Sequence, residues 1–100
     1  MEFNFEWDPK KAKSNKQKHR ISFEQAATVF RDPRAASIYD EGHSEREDRW
    51  ITLGLSRGSG VLVVCHTFRQ IDPVTVQIRI ISSRKATRRE IRQYLEPTSK

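Results

Sequence analysis

The sequence predicts an α+β fold, with a small three- to four-stranded, mostly antiparallel sheet and helices packed on one face. Three observations predict it. Val74 to Ser82 alternates, placing Val74, Val76, Ile78 and Ile80 on one side and Thr75, Gln77 and Arg79 on the other, the period of a strand with one buried face. Two helix starts are written out, Asp8-Pro9 as an N-cap with proline in the first turn and Ser22-Phe23-Glu24-Gln25 as a capping box. Ser56-Arg57-Gly58-Ser59-Gly60 then supplies the glycines of a hairpin between two apolar runs. A chain of 100 residues holds one such core and not two, so residues 1–100 are read as a single domain with an ordered core of about residues 3–96.

The elements follow in order. Phe3, Phe5 and Trp7 alternate with Asn4 and Glu6 as a short strand. The helix after Pro9 carries Lys10, Lys11, Lys13, Lys16 and Lys18 around a thin inner stripe of Ala12, Asn15 and His19. In the second helix Phe23, Ala26, Ala27 and Phe30 form one apolar face, and Asp32-Pro33 stops it. Strands are expected at Ala36 to Asp40, at Arg49 to Leu55 after a polar segment, and at Val61 to Gln70. Ile71-Asp72-Pro73 turns the chain into the strand of Val74 to Ser82. A third helix is expected over Arg84 to Leu95, with Thr87 and Glu90 as an internal capping box, Thr87, Ile91, Tyr94 and Leu95 buried, and Pro97 as its stop.

Composition narrows the function classes. Nineteen Lys and Arg against thirteen Asp and Glu give a formal charge of +6, which suits a polyanion or an acidic protein partner as well as a merely soluble surface. The single cysteine, Cys65, excludes an internal disulfide and a multi-cysteine zinc site, and in its apolar run it reads as a buried thiol. The three histidines are scattered, so neither metal nor cofactor is expected. Gly60 to Cys65 is too short an apolar run to cross a bilayer, and Met1 to Asn4 has no signal pattern, which predicts a cytoplasmic protein without a membrane partner.

Several stretches, in order, resemble the BrnT family of toxins. They are Phe5-Glu6-Trp7-Asp8-Pro9 with Lys11-Ala12, then Asn15, Lys18-His19, Ser22-Phe23-Glu24-x-Ala26 and Val29-Phe30-x-Asp32-Pro33. The second half adds His43-Ser44-x-x-Glu47-x-Arg49, Gly54-x-Ser56 and Arg79-Ile80-Ile81-Ser82-x-Arg84-x-Ala86, followed by Glu90 and Tyr94. The resemblance spans residues 3 to about 96 and departs at Arg20, where the family often has Gly, and at Ser83, where it often has Ala. It implies a fold similar to the RelE group of ribonuclease toxins, endonucleolytic RNA cleavage that arrests translation and growth, and neutralisation by a BrnA-like ribbon-helix-helix antitoxin. The joint complex would bind operator DNA. The competing class is a non-catalytic nucleic-acid-binding or operon-regulating module, which needs the basic surface but no proton-transfer groups.

Cleaving RNA without a metal requires a base for the 2′-hydroxyl, a cation for the charged phosphorane and an acid for the leaving 5′-oxygen. Arg79, on the polar side of its strand, is the leading cation, because a guanidinium fork holds two phosphate oxygens and stays charged. Arg69 joins it if the turn at Asp72-Pro73 is tight. Glu47 is the candidate base, and Arg49, two residues on, either clamps phosphate or closes a structural ion pair beside Ile51, Leu53 and Leu55. Lys18 and His19 are further proton-transfer candidates, although a histidine on an inner stripe is equally a packed residue. Trp50, of opposite parity, offers a stacking surface for a base or packs under a helix. Arg84, Lys85 and Arg88, with Arg89 and Arg92, would make the third helix a basic patch for RNA or for an acidic partner segment.

Overall fold

The computed structural model describes residues 1–96. Its elements are β1 (Glu2–Glu6), α1 (Pro9–His19), α2 (Phe23–Ala27) running into a 3-10 turn (Thr28–Arg31), β2 (Ala36–Tyr39), β3 (Trp50–Leu55), β4 (Val61–His66), β5 (Arg69–Asp72), β6 (Thr75–Lys85) and α3 (Arg88–Leu95). The α+β class stands, but the sheet has six strands rather than three or four. The strand expected at the start of the chain, β1, joins the sheet by pairing in parallel with β6, linking the two ends of the chain, and the expected strand Val61 to Gln70 is broken at Thr67 and Phe68 into β4 and β5. Both pieces pair antiparallel with β6, as β3 does with β4 and β2 with β3.

The core lies between α1, α2 and one sheet face. Val76, Ile78 and Ile80 of β6 and Leu62 and Val64 of β4 are fully buried beneath Ile21, Phe23, Ala26 and Val29. Val29 was not on the expected helical face. The 3-10 turn shortens the period to three residues, so Phe23, Ala26 and Val29 point inward, while Ala27 and Phe30 pack at the margin. β6 changes parity at Ile81: His66 lies opposite Ile80 and Cys65 opposite Ser82, so Ile81 is the extra residue of a bulge and Ser83 becomes the next inward side chain. Asn15 of α1 pins that spot, its Nδ2 donating to the carbonyls of Ser83 (2.8 Å) and Ile21 (3.1 Å) while its Oδ1 accepts from the Ser83 amide (3.1 Å).

Four expectations need correcting. Val74 is in the turn, not on the buried side, because the Asp72 carboxylate accepts from its amide and closes the hairpin there. β6 continues to Lys85, so Arg84 and Lys85 belong to a strand, and the capping box of Thr87 and Glu90 is the true start of α3. With the helix starting later, Tyr94 is its buried residue, Ile91 is half-buried, and Thr87 and Leu95 are exposed. The expected stop at Pro97 lies outside the described residues. Finally, the helices do not share one face: Gln93 and Tyr94 of α3 line a cavity with Ile51, Leu53 and Val63 on the side away from α1 and α2. In β3 it is Thr52 and Gly54 that face the core; a Cβ on Gly54 would stand 2.7 Å from Val29, a close approach that only glycine permits.

Both departures from the resembling family have a visible consequence. Ser83 Oγ is buried without a hydrogen-bond partner among the described residues, a place an alanine methyl would fill at no polar cost. Arg20 caps α1 in the left-handed region (φ 62°, ψ 26°), its amide donating to the Lys16 carbonyl. Glycine is unstrained there, whereas a side chain costs about 1 kcal/mol. Arg20→Gly is expected to raise stability by about that amount, read as a higher urea midpoint with unchanged slope.

Candidate functional site

The sheet face opposite α1 and α2 carries the polar side of β6. Glu6, Gln77 and Arg79 stand there, and β5 places Arg69 directly across from Gln77, so the tight turn does bring Arg69 beside Arg79. A cavity of about 470 Å³ is lined by these residues together with Glu47, Asp48 and Phe68. Glu47 arrives from the segment between β2 and β3, which local bonds hold in place: the Asp40 amide donates to the Arg49 carbonyl (2.8 Å), and Ser44 Oγ accepts from the Arg49 amide (3.1 Å) while donating to the Asp40 carbonyl (2.5 Å).

Glu47 sits between two guanidinium groups. Arg79 Nη2 donates to its Oε1, and Arg49 Nη2 donates to its Oε2 at 3.4 Å. Arg49 is therefore both ion-pair partner and bridge to a second cavity of about 320 Å³, where it meets His19, His43, Cys65, Ser82 and Arg84. His43 Nδ1 pairs with Asp40 Oδ2 at 3.0 Å, and burial pushes the half-buried Cys65 thiol up from its ordinary pKa. Arg49 Nε is buried with no partner among the described residues, an unspent donor on the arginine that joins the two cavities.

Of the residues singled out in the sequence, Glu47, Arg69 and Arg79 share one cavity, while Arg49, His19 and Arg84 share the adjoining one. Lys18, Lys85 and Arg88 are exposed and line neither. Trp50 points to the other side of the sheet, against Tyr39 and Phe68. Gln77 was legible from its parity with Arg79; Asp40, Asp48 and Thr67 carried no signal, because loop residues reach the cavity only through tertiary placement. Among the described residues no three His, Cys, Asp or Glu side chains are grouped to hold a metal ion, and no helix is long and apolar enough to cross a membrane.

Arg84 grips Glu90 through two bonds of 2.9 Å each. That contact holds the Glu90 carboxyl down at about 2, against an opposing effect of burial and with help from the Thr87 amide. A carboxyl depressed in the folded state stabilises it fully above the ordinary value of 4.5, and that contribution is lost as pH falls from 4.5 towards about 2. Urea midpoints measured across that window are expected to fall less steeply in Glu90→Gln than in the parent.

A family model described as "Ribonuclease toxin, BrnT, of type II toxin-antitoxin system" matches residues 7–90. Among solved structures, the 1.1 Å crystal structure of the Brucella abortus ribonuclease toxin BrnT is similar in fold, with a TM-score of 0.55 and 20% identity over 88% of this chain and 100% of that one. No curated protein matches the sequence.

Proposed function

The chain belongs to the BrnT family of ribonuclease toxins of type II toxin-antitoxin systems, and from that premise we propose that it is a metal-independent endoribonuclease whose active site is the open-face groove around Glu47 and Arg79. The observation that carries this reading is the placement of the Glu47 carboxylate between Arg79 and Arg49, in a groove that it shares with Arg69, Arg79 and the carboxylates of Glu6 and Asp48. A phosphate entering the groove replaces Glu47 as the partner of Arg79, freeing the carboxylate to act. Glu47 takes the proton of the 2′-hydroxyl, whose oxygen attacks the adjacent phosphorus. Arg79 and Arg69 bind the charge that develops on the phosphoryl oxygens. The bond to the 5′-oxygen breaks, and we assign the proton that this oxygen receives to His19, which shares the adjoining cavity with Arg49 and with His43, the latter paired with Asp40. The products are a 2′,3′-cyclic phosphate and a 5′-hydroxyl end.

Family membership brings an RNA substrate and an antitoxin partner. The finer reading is a BrnA-like ribbon-helix-helix antitoxin, operator DNA bound through the joint complex, a cytoplasmic site of action and a fold related to the RelE group. The test is incubation of the purified chain with a defined naked RNA in EDTA, beside Arg79→Ala shown to be folded. Cleavage is expected in the parent, with a loss of about 10²- to 10³-fold in the variant. RNA binding without cleavage would overturn the assignment in favour of a regulatory module.

A further inference from the structure

On the other side of β3, next to the groove, lies a cavity of about 270 Å³ that the cleavage chemistry does not use. Its walls are aromatic: Trp50 and Phe68 have ring centroids 6.3 Å apart, and Phe3 and Phe30 complete the enclosure. Phe68 also lines the groove of Glu47 and Arg79, so the two spaces meet at that one ring, which is half exposed.

The floor is polar, and its hydrogen bonds have a fixed direction. His66 Nδ1 lies 2.9 Å from the Thr67 carbonyl, which can only accept, so Nδ1 carries the proton of the neutral ring. Burial lowers the His66 pKa and favours that neutral form. His66 Nε2 then accepts from the Thr52 hydroxyl at 2.7 Å, and Thr52 Oγ1 in turn accepts from the Ser37 hydroxyl at 2.6 Å. Every proton of the relay is spent inward. What remains for an occupant is acceptor capacity, the lone pairs of Ser37 Oγ; Asp32 also borders the cavity, but its carboxylate already accepts from the Arg34 and Leu55 amides and the Tyr94 hydroxyl.

We propose that this pocket is the nucleobase subsite of the RNA groove and that it takes a base bearing an exocyclic amino group (adenine, cytosine or guanine) in preference to uracil. The inference rests on the ribonuclease reading and adds to it the substrate feature the enzyme selects. The aromatic walls supply stacking that any base satisfies, while the acceptor floor favours an exocyclic amino group over uracil, whose N3–H donor is flanked on both sides by carbonyl oxygens. A base stacked on the exposed side of Phe68 places its own backbone at the groove, because Phe68 borders both.

The test is titration of the full chain with AMP, CMP, GMP and UMP, followed by tryptophan emission and by calorimetry. The three amino-bearing nucleotides are expected to bind about fivefold more tightly than UMP, the worth of one hydrogen bond. Phe68→Ala weakens all of them about tenfold, Ser37→Ala brings the four together, and Trp50→Phe removes the emission change. Ser37 and Phe68 are exposed enough to be replaced without unfolding the chain. Equal affinity for all four nucleotides, no saturable binding, or indifference to Phe68→Ala would each overturn the proposal. The titration is repeated in Glu47→Gln, where binding is expected to persist; failure of the ribonuclease reading would show instead as no cleavage of naked RNA by the parent, whatever the nucleotide affinities.

Discussion

Glu47→Gln is expected to slow RNA cleavage by about 10²- to 10⁴-fold, the range lost when a positioned general base is removed. Glutamine keeps the size of the side chain and one oxygen that still accepts from Arg79, while its amide nitrogen gives up only the longer bond from Arg49. What it cannot do is take a proton. The substitution also removes a negative charge from among three arginines, so RNA affinity is expected to hold or to tighten, and its dependence on salt to steepen. Single-turnover cleavage measured beside anisotropy binding separates the two effects. A variant that cleaves at the parental rate would remove Glu47 from the mechanism; one that loses binding in step with cleavage would mark it as a structural partner of Arg79.

Asn15→Ala is expected to destabilise the fold by about 3 kcal/mol, more than a polar residue on a lysine-rich helix suggests. Its amide serves the amide and carbonyl of Ser83 and the carbonyl of Ile21, all buried. Alanine leaves three main-chain groups without water or partner, and each such orphan costs about 1–3 kcal/mol before relaxation. The bonds also hold β6 next to its bulge, so the outer end of the strand, including Arg84, is expected to lose amide protection before the core does. Urea denaturation reads the first effect and hydrogen exchange the second. A loss below about 1 kcal/mol would show that the strand holds its register without α1.

The sequence revealed most where a residue type has one local job. Asp8, Ser22 and Thr87 each cap a helix as their side chains require, and the alternation of β6 placed Arg79 and Gln77 on the open face correctly. Arg69 followed from a turn chemistry that Asp72 supplies. The misses share a different cause. β1 pairs with a strand at the far end of the chain, which no local pattern encodes. The bulge at Ile81 and the 3-10 turn that rotates Val29 inward are departures from ideal periods, so a reading built on periods of 2 and 3.6 passed over them. Trp50 was legible as a residue of opposite parity to Arg49. That its face holds a pocket of its own depends on Phe3 and Phe30, brought there by other elements.

The parallel pairing of β1 with β6 also bears on when activity begins. Glu6 lies opposite Arg79, so the first strand to be synthesised waits for nearly the last before it finds its place in the sheet. Loop closure across almost the entire chain must precede that contact, a slow, late event for a domain of this size. A chain that ends ahead of β6 has no wall for the groove and leaves Glu47 without Arg79. On the proposed mechanism the chain is thus unarmed until β6 emerges, late in its own synthesis, and a partner that binds the segments made first has a head start over the harm it must prevent.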